Sequence, residues 1–423
     1  MKVRRIVGRF LNMNRRAKLL IAGTAIVTVT ILHSLEVASM APVPENDVGD
    51  LIDISSELDS KCLDACVSNE DELRGALQQI LDGADPGSPP EGIIELCPST
   101  LNDPVVLTQP VDLRRENFTI TFGCCGQEIV EEPFIINQES PRCAIVRDDV
   151  LRNGFVIAQY NTTVKMANIY FTDSQSLGLD SVDNKAEFIT NPNTAVIDPS
   201  LSFHNCIFEG MSNVLQLNFQ ISEVGENSTI FQSRNTTFMG SGAEGNYDSF
   251  AAINFNHRSQ NSRSFLIDIS DSLFINNTSS NPGAAIQYVA DRIVGDMLIQ
   301  SSLFSGNKQI SPSTGGSAIS TSTLRSLTIN SGTRFQGNDS NGVGGALVSS
   351  ASSIMIKESF FQDNSAAEHG GAVALFDAST INIIRSTFTD NEISGIAVII
   401  PGQFNFFNGE GGAIFIKVTV YSK

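Results

Sequence analysis

From residue 164 onward, apolar residues two apart recur at a fixed distance ahead of a phenylalanine. With Phe as position zero, the places seven and five before it are apolar in Val164/Met166/Phe171, Leu201/Phe203/Phe208, Ile267/Ile269/Phe274 and Met297/Ile299/Phe304. Ile354/Ile356/Phe361 and Ile381/Ile383/Phe388 continue the series. Phe231 with Phe238 carries half of the pattern, and Leu327/Ile329/Phe335 carries it with one inserted residue. Successive Phe intervals are 37, 30, 36, 30, 31, 26 and 27 residues. Alternation of period two means strands, and a period near 30 means one supersecondary unit stacked on itself.

The polar positions repeat as well. Asn277, Asn307, Asn338, Asn364 and Asn391 each stand three places after the Phe. Two places before it stands a small residue, as in Thr236, Ser272, Ser302, Thr333, Ser359 and Ser386. Glycine pairs follow at Gly344-Gly345, Gly370-Gly371 and Gly411-Gly412, each succeeded by Ala and an aliphatic residue. Apolar residues two apart face one side of a strand, so each unit feeds one interior row. Asn in a column of identical residues hydrogen-bonds along the stack, and Gly-Gly permits a turn closed to residues with a Cβ. The pattern predicts an all-β fold, a right-handed parallel β-helix of about eleven coils and on the order of 50 Å long.

The phrase F-x-x-N…G-G-A-[IV], as in "FFQDNSAAEHGGAV" and "RFQGNDSNGVGGAL", resembles the repeat of polymorphic outer-membrane proteins. The wider architecture resembles the pectin lyase-like β-helix superfamily. The likeness is good over roughly 265–420 and weaker over 164–264. It implies a fold; function it implies poorly, because that superfamily includes polysaccharide lyases, glycosidases, adhesins and passive surface proteins.

Upstream, the pattern is different. Residues 1–18 carry seven Lys and Arg and no acid, and the uncharged run Leu19–Leu32 follows. A basic flank before an apolar run targets a chain to the secretory pathway, so 19–38 is expected to be a signal anchor or a signal peptide. As an anchor it would tether the protein to a membrane. Residues 39–60 are acidic and Pro-containing, a linker. Residues 61–92 form a Cys-containing cap. There Ser68 and Asp71 resemble a capping box, Leu73, Ala76, Leu77, Ile80 and Leu81 lie on one helical face, and Gly83 stops the helix. The β-helix would occupy 93–423, with an irregular last coil, since "IPGQFNFFNGEGG" lacks the apolar pair.

Charge sharpens the picture. The chain carries −19 overall, and without residues 1–18 it has 20 basic against 46 acidic residues, or −26. Such a body repels phosphate backbones, which argues against nucleic acid. Six of seven cysteines (Cys62, Cys66, Cys97, Cys124, Cys125, Cys143) fall within 82 residues, at spacings that fit no zinc site. Three disulfides stapling the cap and first coils are expected, with Cys206 left unpaired in a small-residue column. Of seven N-x-[ST] sequons, Asn117, Asn161, Asn227 and Asn235 are the glycosylation candidates; Asn277 and Asn338 belong to the interior column.

Catalytic motifs are missing. Glu368-His369 falls in a variable turn between Asn364 and Gly370, and its counterpart one unit earlier, "DSNGV", has no His. Asp148-Asp149 lacks the N-T-D and G-H-G companions of polygalacturonase-like enzymes. Asp268, Asp271, Arg325 and Arg385 occupy different template positions and read as solvated turn charges. There is no Trp on which a sugar ring could stack. No cofactor or metal site is expected. The leading expectation is a non-catalytic surface rod that contacts cell-surface or wall polysaccharide, or another surface protein. The alternative is a lyase-like or hydrolase-like enzyme acting on acidic polysaccharide.

Overall fold

The repeat closes into a parallel β-helix in the computed structural model. It describes residues 28–32, 66–83, 89–98, 103–113, 117–127, 143–148, 153–157, 162–173, 187–190, 196–211, 213–220, 228–242, 251–257, 264–311, 315–394 and 412–417. Each regular coil visits four sheets in turn. The unit around Phe335 shows them: Leu324–Asn330 in sheet 1, Arg334–Gln336 in sheet 2, Asp339–Ser340 in sheet 3 and Leu347–Ser349 in sheet 4. Among the described residues, sheet 1 has 11 strands in order, sheet 4 has 11 of which Val196–Ile197 pairs off the main path, sheet 2 has 10 and sheet 3 has 5. Every pairing is parallel, with Leu327 opposite Ile354 and Phe335 opposite Phe361.

Register follows from the sequence pattern. The apolar pairs point inward and are buried, for example Met297, Ile299, Leu327, Ile329, Ile354 and Ile356. The following Phe residues stack in a column from Phe171 through Phe388, centroids 4.6–5.2 Å apart and planes within 11°. That spacing is the strand separation itself, so the rings stack because the strands do. Phe335 keeps its place despite the inserted residue, because Ser331 and Gly332 take positive φ and absorb it at the bend. In the Phe231 coil Ser233 fills the second inward position, fully buried and hydrogen-bonded to Ser272.

The asparagine column is a ladder. Asn307 Nδ2 donates to Phe274 O (3.0 Å) and to Asn338 Oδ1 (2.9 Å), and its backbone N–H donates to the same oxygen at 3.1 Å. Asn277, Asn338 and Asn364 repeat the arrangement, and Asn391 donates to Phe361 O at 2.8 Å. Four of the five are fully buried, and Asn391 is 5% exposed. Buried amides whose donors and acceptors are all used cost little and fix the register.

One helix, Glu70–Asp82, packs against Glu91–Leu96 and Val105–Leu107 of the first coil. Leu73 and Leu77 are buried, with Ala76, Ile80 and Leu81 partly buried against the core. The cap differs from the Ser68/Asp71 expectation by one residue. Asn69 is the N-cap and accepts from Glu72 N–H at 3.0 Å, while Ser68 N–H donates back to Glu72 at 2.7 Å. Asn69 wins because its amide oxygen reaches the third helical N–H and Glu72 completes the exchange. Glu70 holds the helix to the first coil by accepting from Thr108 and Gln109, with Arg74 beside it. Burial opposes its ionisation, but the bonds from Thr108 and Arg74 prevail and hold its carboxyl below the usual range.

Cys66–Cys97 and Cys124–Cys143 are disulfides, and Cys125 is disulfide-bonded to a residue outside the described ones. Cys206 is a free, buried thiol, and burial pushes its pKa up to about 12. The irregular stretch expected before Gly412 lies outside the described residues, as do Cys62 and Gly411. Beyond it Ile414–Lys417 pairs with Val373–Phe376. Of the targeting segment 19–38 only Thr28–Leu32 is described, as a strand; among the described residues no helix is long and apolar enough to cross a membrane.

Candidate functional site on the outer face of sheet 1

Between the inward pairs of sheet 1, the intervening residues point outward and align in rows. Parallel register sets Ser202 beside Gln232 and His204 beside Arg234. One coil further, Gln232 lies beside Asp268 and Arg234 beside Ser270. Three consecutive strands thus bring six polar groups onto one patch. Ser202 Oγ is 2.6 Å from His204 Nε2 and 3.5 Å from Gln232 Oε1. Gln232 Nε2 donates to Asp268 Oδ2 at 3.3 Å, and Arg234 ion-pairs with the same oxygen at 4.0 Å.

Asp268 is the distinctive member. It is 9% exposed although it faces outward, and its Oδ1 is buried with no hydrogen-bond partner. A buried carboxylate oxygen without a donor is costly, so Oδ1 is left with an unmet demand for one. Asp271 follows at the bend with φ 50°. Burial raises its carboxyl above the usual range; Arg234 opposes this and the charge of Asp268 adds to it.

These contacts correct the expectation that Asp268 and Asp271 are scattered, solvated charges. Both approach Arg234 of the neighbouring strand, because Asp268 stands six places and Asp271 three places before Phe274, the latter at the bend that ends the same strand. Arg325 and Arg385 are not part of the patch. Arg325 pairs with Asp296, donating through Nε at 2.9 Å, and Arg385 pairs with Glu358. The Glu368-His369 turn is not fully solvated either: Glu368 is exposed, but the His369 ring stacks on Phe415. The Ser202, His204, Gln232 and Arg234 members went unread in the sequence. They stand six and four places before the Phe, so the outward row was available from the same template that gave the inward one.

The Ser202–His204 contact has the distance of a nucleophile and its base. Its setting is a flat strand paired on both sides, with Thr163–Ala167 and with Ser228–Arg234. Ladder pairing commits the backbone N–H groups of that strand, so they offer no oxyanion donors at Ser202. Among the described residues no group of three His, Cys, Asp or Glu could hold a metal ion.

A second outward row runs along the bend beside the patch. Asn235 Nδ2 donates to Asn205 Oδ1 at 3.1 Å, and Asn205 Nδ2 donates to Asn168 Oδ1 at 2.8 Å, all three with positive φ. The sequon nitrogen of Asn235 is therefore a ladder donor. Asn117 is exposed at positive φ, whereas Asn161 and Asn227 lie outside the described residues. At the glycine pairs, Gly344 and Gly370 take positive φ, and a Cβ on Gly345 would lie 1.9 Å from Gly371 O. No protein-family model matches the chain, and neither a curated protein nor a solved structure matches it.

Proposed function

We propose that the protein is a non-catalytic exterior rod that holds a hydroxyl-rich polysaccharide of a cell surface or wall along the outer face of sheet 1. The observation that carries this reading is the unpartnered, buried Oδ1 of Asp268 within a row of hydrogen-bonding side chains. Strand rows about 4.8 Å apart present such groups at regular intervals to an extended polymer. The disulfides of the cap and first coils support an oxidising exterior address. With −26 outside the first 18 residues, a neutral or amine-bearing polymer suits the body better than a polyanion. Sheet-face recognition also accords with the pectin lyase-like resemblance of the repeat.

A second reading, a carbohydrate-active enzyme, draws on the raised Asp271 beside Asp268, since paired carboxylates whose environments differ serve acid and base roles. One experiment separates the two. The purified protein and its Asp268→Asn variant are incubated with neutral, amino and acidic polysaccharides, with and without calcium. Retention of a polymer by the wild type, loss of retention in the variant and unchanged chain length are expected. Chain shortening that Asp268→Asn abolishes would establish the enzyme, and no retention of any polymer would remove the proposal.

A further inference from the structure

The described Thr28–Leu32 strand is the outermost member of sheet 1, beyond the last regular coil. It runs parallel to Thr380–Ile384, with Thr28 opposite Thr380, Thr30 opposite Asn382 and Leu32 opposite Ile384. The register sets Val29 at Ile381 and Ile31 at Ile383. Those are the two inward columns that Leu327/Ile329 and Ile354/Ile356 supply in the coils before. Thr28 and Thr30 take the alternate register positions, opposite Thr380 and Asn382. The strand therefore continues the repeat in phase, although it comes from the opposite end of the chain.

The sequence is suited to this. Residues 26–31 read Ile-Val-Thr-Val-Thr-Ile, six β-branched residues in succession. Such side chains are stiff at χ1 and favour a pleated, half-buried surface over a helix. The rod end also needs a cover. Even with that strand in place Ile383 is 6% exposed, where Ile329 and Ile356 are fully buried, and Phe388 is only partly buried, where the seven Phe before it in the column are fully buried, so this end is the least covered part of the column. A terminal strand exposes a row of unpaired N–H and C=O groups. Reach is sufficient: the chain from Leu32 to Cys66 can extend to about 110 Å, against a rod of about 50 Å.

We propose that Thr28–Leu32 is the C-terminal end cap of its own rod, a strand returned from the N-terminal segment to close sheet 1. Because a strand paired with Thr380–Ile384 cannot lie in a bilayer, the rod end and the membrane compete for the same apolar residues. A second copy donating its strand would instead link rods end to end, and the experiment distinguishes that case.

The full-length chain carrying Thr30→Cys and Asn382→Cys is oxidised and mapped as non-reduced peptides. Neighbouring parallel strands hold such Cα atoms about 4.8 Å apart, within the range of a disulfide. A cross-link within the monomer is expected, and none in a Thr30→Cys/Thr389→Cys control. A cross-link found only between chains, or a mature protein that begins after Leu32, overturns the proposal. Added cysteines can disturb native pairing, so amide exchange on the wild type gives a second reading. Amides of 380–384 are expected to exchange as slowly as those of 353–357. Val29→Asp with Ile31→Asp should abolish that protection while 324–330 keeps its own. Fast exchange of 380–384 in the wild type would equally overturn the assignment.

Discussion

The imidazole of His369 lies face to face on the ring of Phe415, centroids 4.6 Å apart and planes 17° apart. Phe415 does not face the main core. It joins Val343, Val348 and Ala374, with Phe376 against them, in a small cluster outside sheet 4. The Glu368-His369 turn is thus a clasp that folds over the outer face of the last coils. Phe415→Ala should cost about 3 kcal/mol and His369→Ala about 1 kcal/mol, by loss of buried contact and of ring stacking. Glu368→Gln, at an exposed position, should change nothing. In a stacked repeat the loss is local, so proteolysis should first release the C-terminal coil. Urea unfolding combined with limited proteolysis checks all three variants.

The interior amide ladder makes a sharper claim. Asn338→Ala deprives Asn307 of the acceptor for its N–H and its Nδ2, and leaves Phe304 O and Asn364 Oδ1 each short of a donor. Stranding several buried polar groups at about 1–3 kcal/mol each predicts a loss above about 3 kcal/mol. Asn338→Asp should be worse, because it buries a charge as well. The same bonds forbid a glycan: Asn338 and Asn277 should be unoccupied in folded secreted protein, while exposed Asn117 is a permitted site. Glycopeptide mapping of secreted material tests that half, and high occupancy at Asn338 would contradict the inward assignment.

Most of the fold was legible because a solenoid writes one structural rule many times over. Ile354, Ile356, Phe361, Asn364 and Gly370 each repeat a position set elsewhere, so a single template placed them all. The candidate site was less legible for the opposite reason. Ser202, Gln232 and Asp268 share an outward row whose residue type changes at every coil, and no repeated letter marks it. Phe415 was missed as a partner for His369 because the sequence between Ile393 and its coil does not follow the template, and register cannot be carried across it. The Asn69 cap was displaced by one because Ser68, Asn69 and Asp71 each fit a cap by type, and only geometry chooses among them.

Glycine positions separate two kinds of constraint. A Cβ on Gly345 would lie 1.9 Å from Gly371 O and 2.5 Å from Ser365 O, both backbone atoms that the neighbouring coil holds fixed. Gly332 has nothing within 4 Å of a Cβ, but its φ is +80°. Gly345→Ala should therefore push two coils apart and cost about 3 kcal/mol, the top of the usual range for overpacked cores. Gly332→Ala should cost only about 1 kcal/mol, the penalty of a left-handed backbone. Equal losses in thermal unfolding would show that steric closeness does not govern the Gly-Gly turns.

His257 gives the rod a pH dependence. Its ring is 1% exposed, packed between Phe219 at 5.0 Å and Phe265 at 5.2 Å, and neither ring nitrogen has a hydrogen-bond partner. Burial lowers its pKa to about 4, with the charge of Asp291 opposing the shift. The native state therefore holds His257 neutral, while the unfolded chain takes up a proton near pH 6.5. The sign follows: the contribution is complete above pH 6.5 and is lost as pH falls from there to about 4, below which it is flat. A shift of this size corresponds to about 3 kcal/mol over that window. His257→Leu removes both stranded nitrogens, so its stability should match or exceed the wild type at pH 5 and lack this component of the slope. The difference between wild type and variant in urea midpoint, followed from pH 7.5 to 4.5, isolates it from the carboxylates that titrate below. A difference that stays constant across that range would mean that His257 is charged, or hydrogen-bonded, inside the rod.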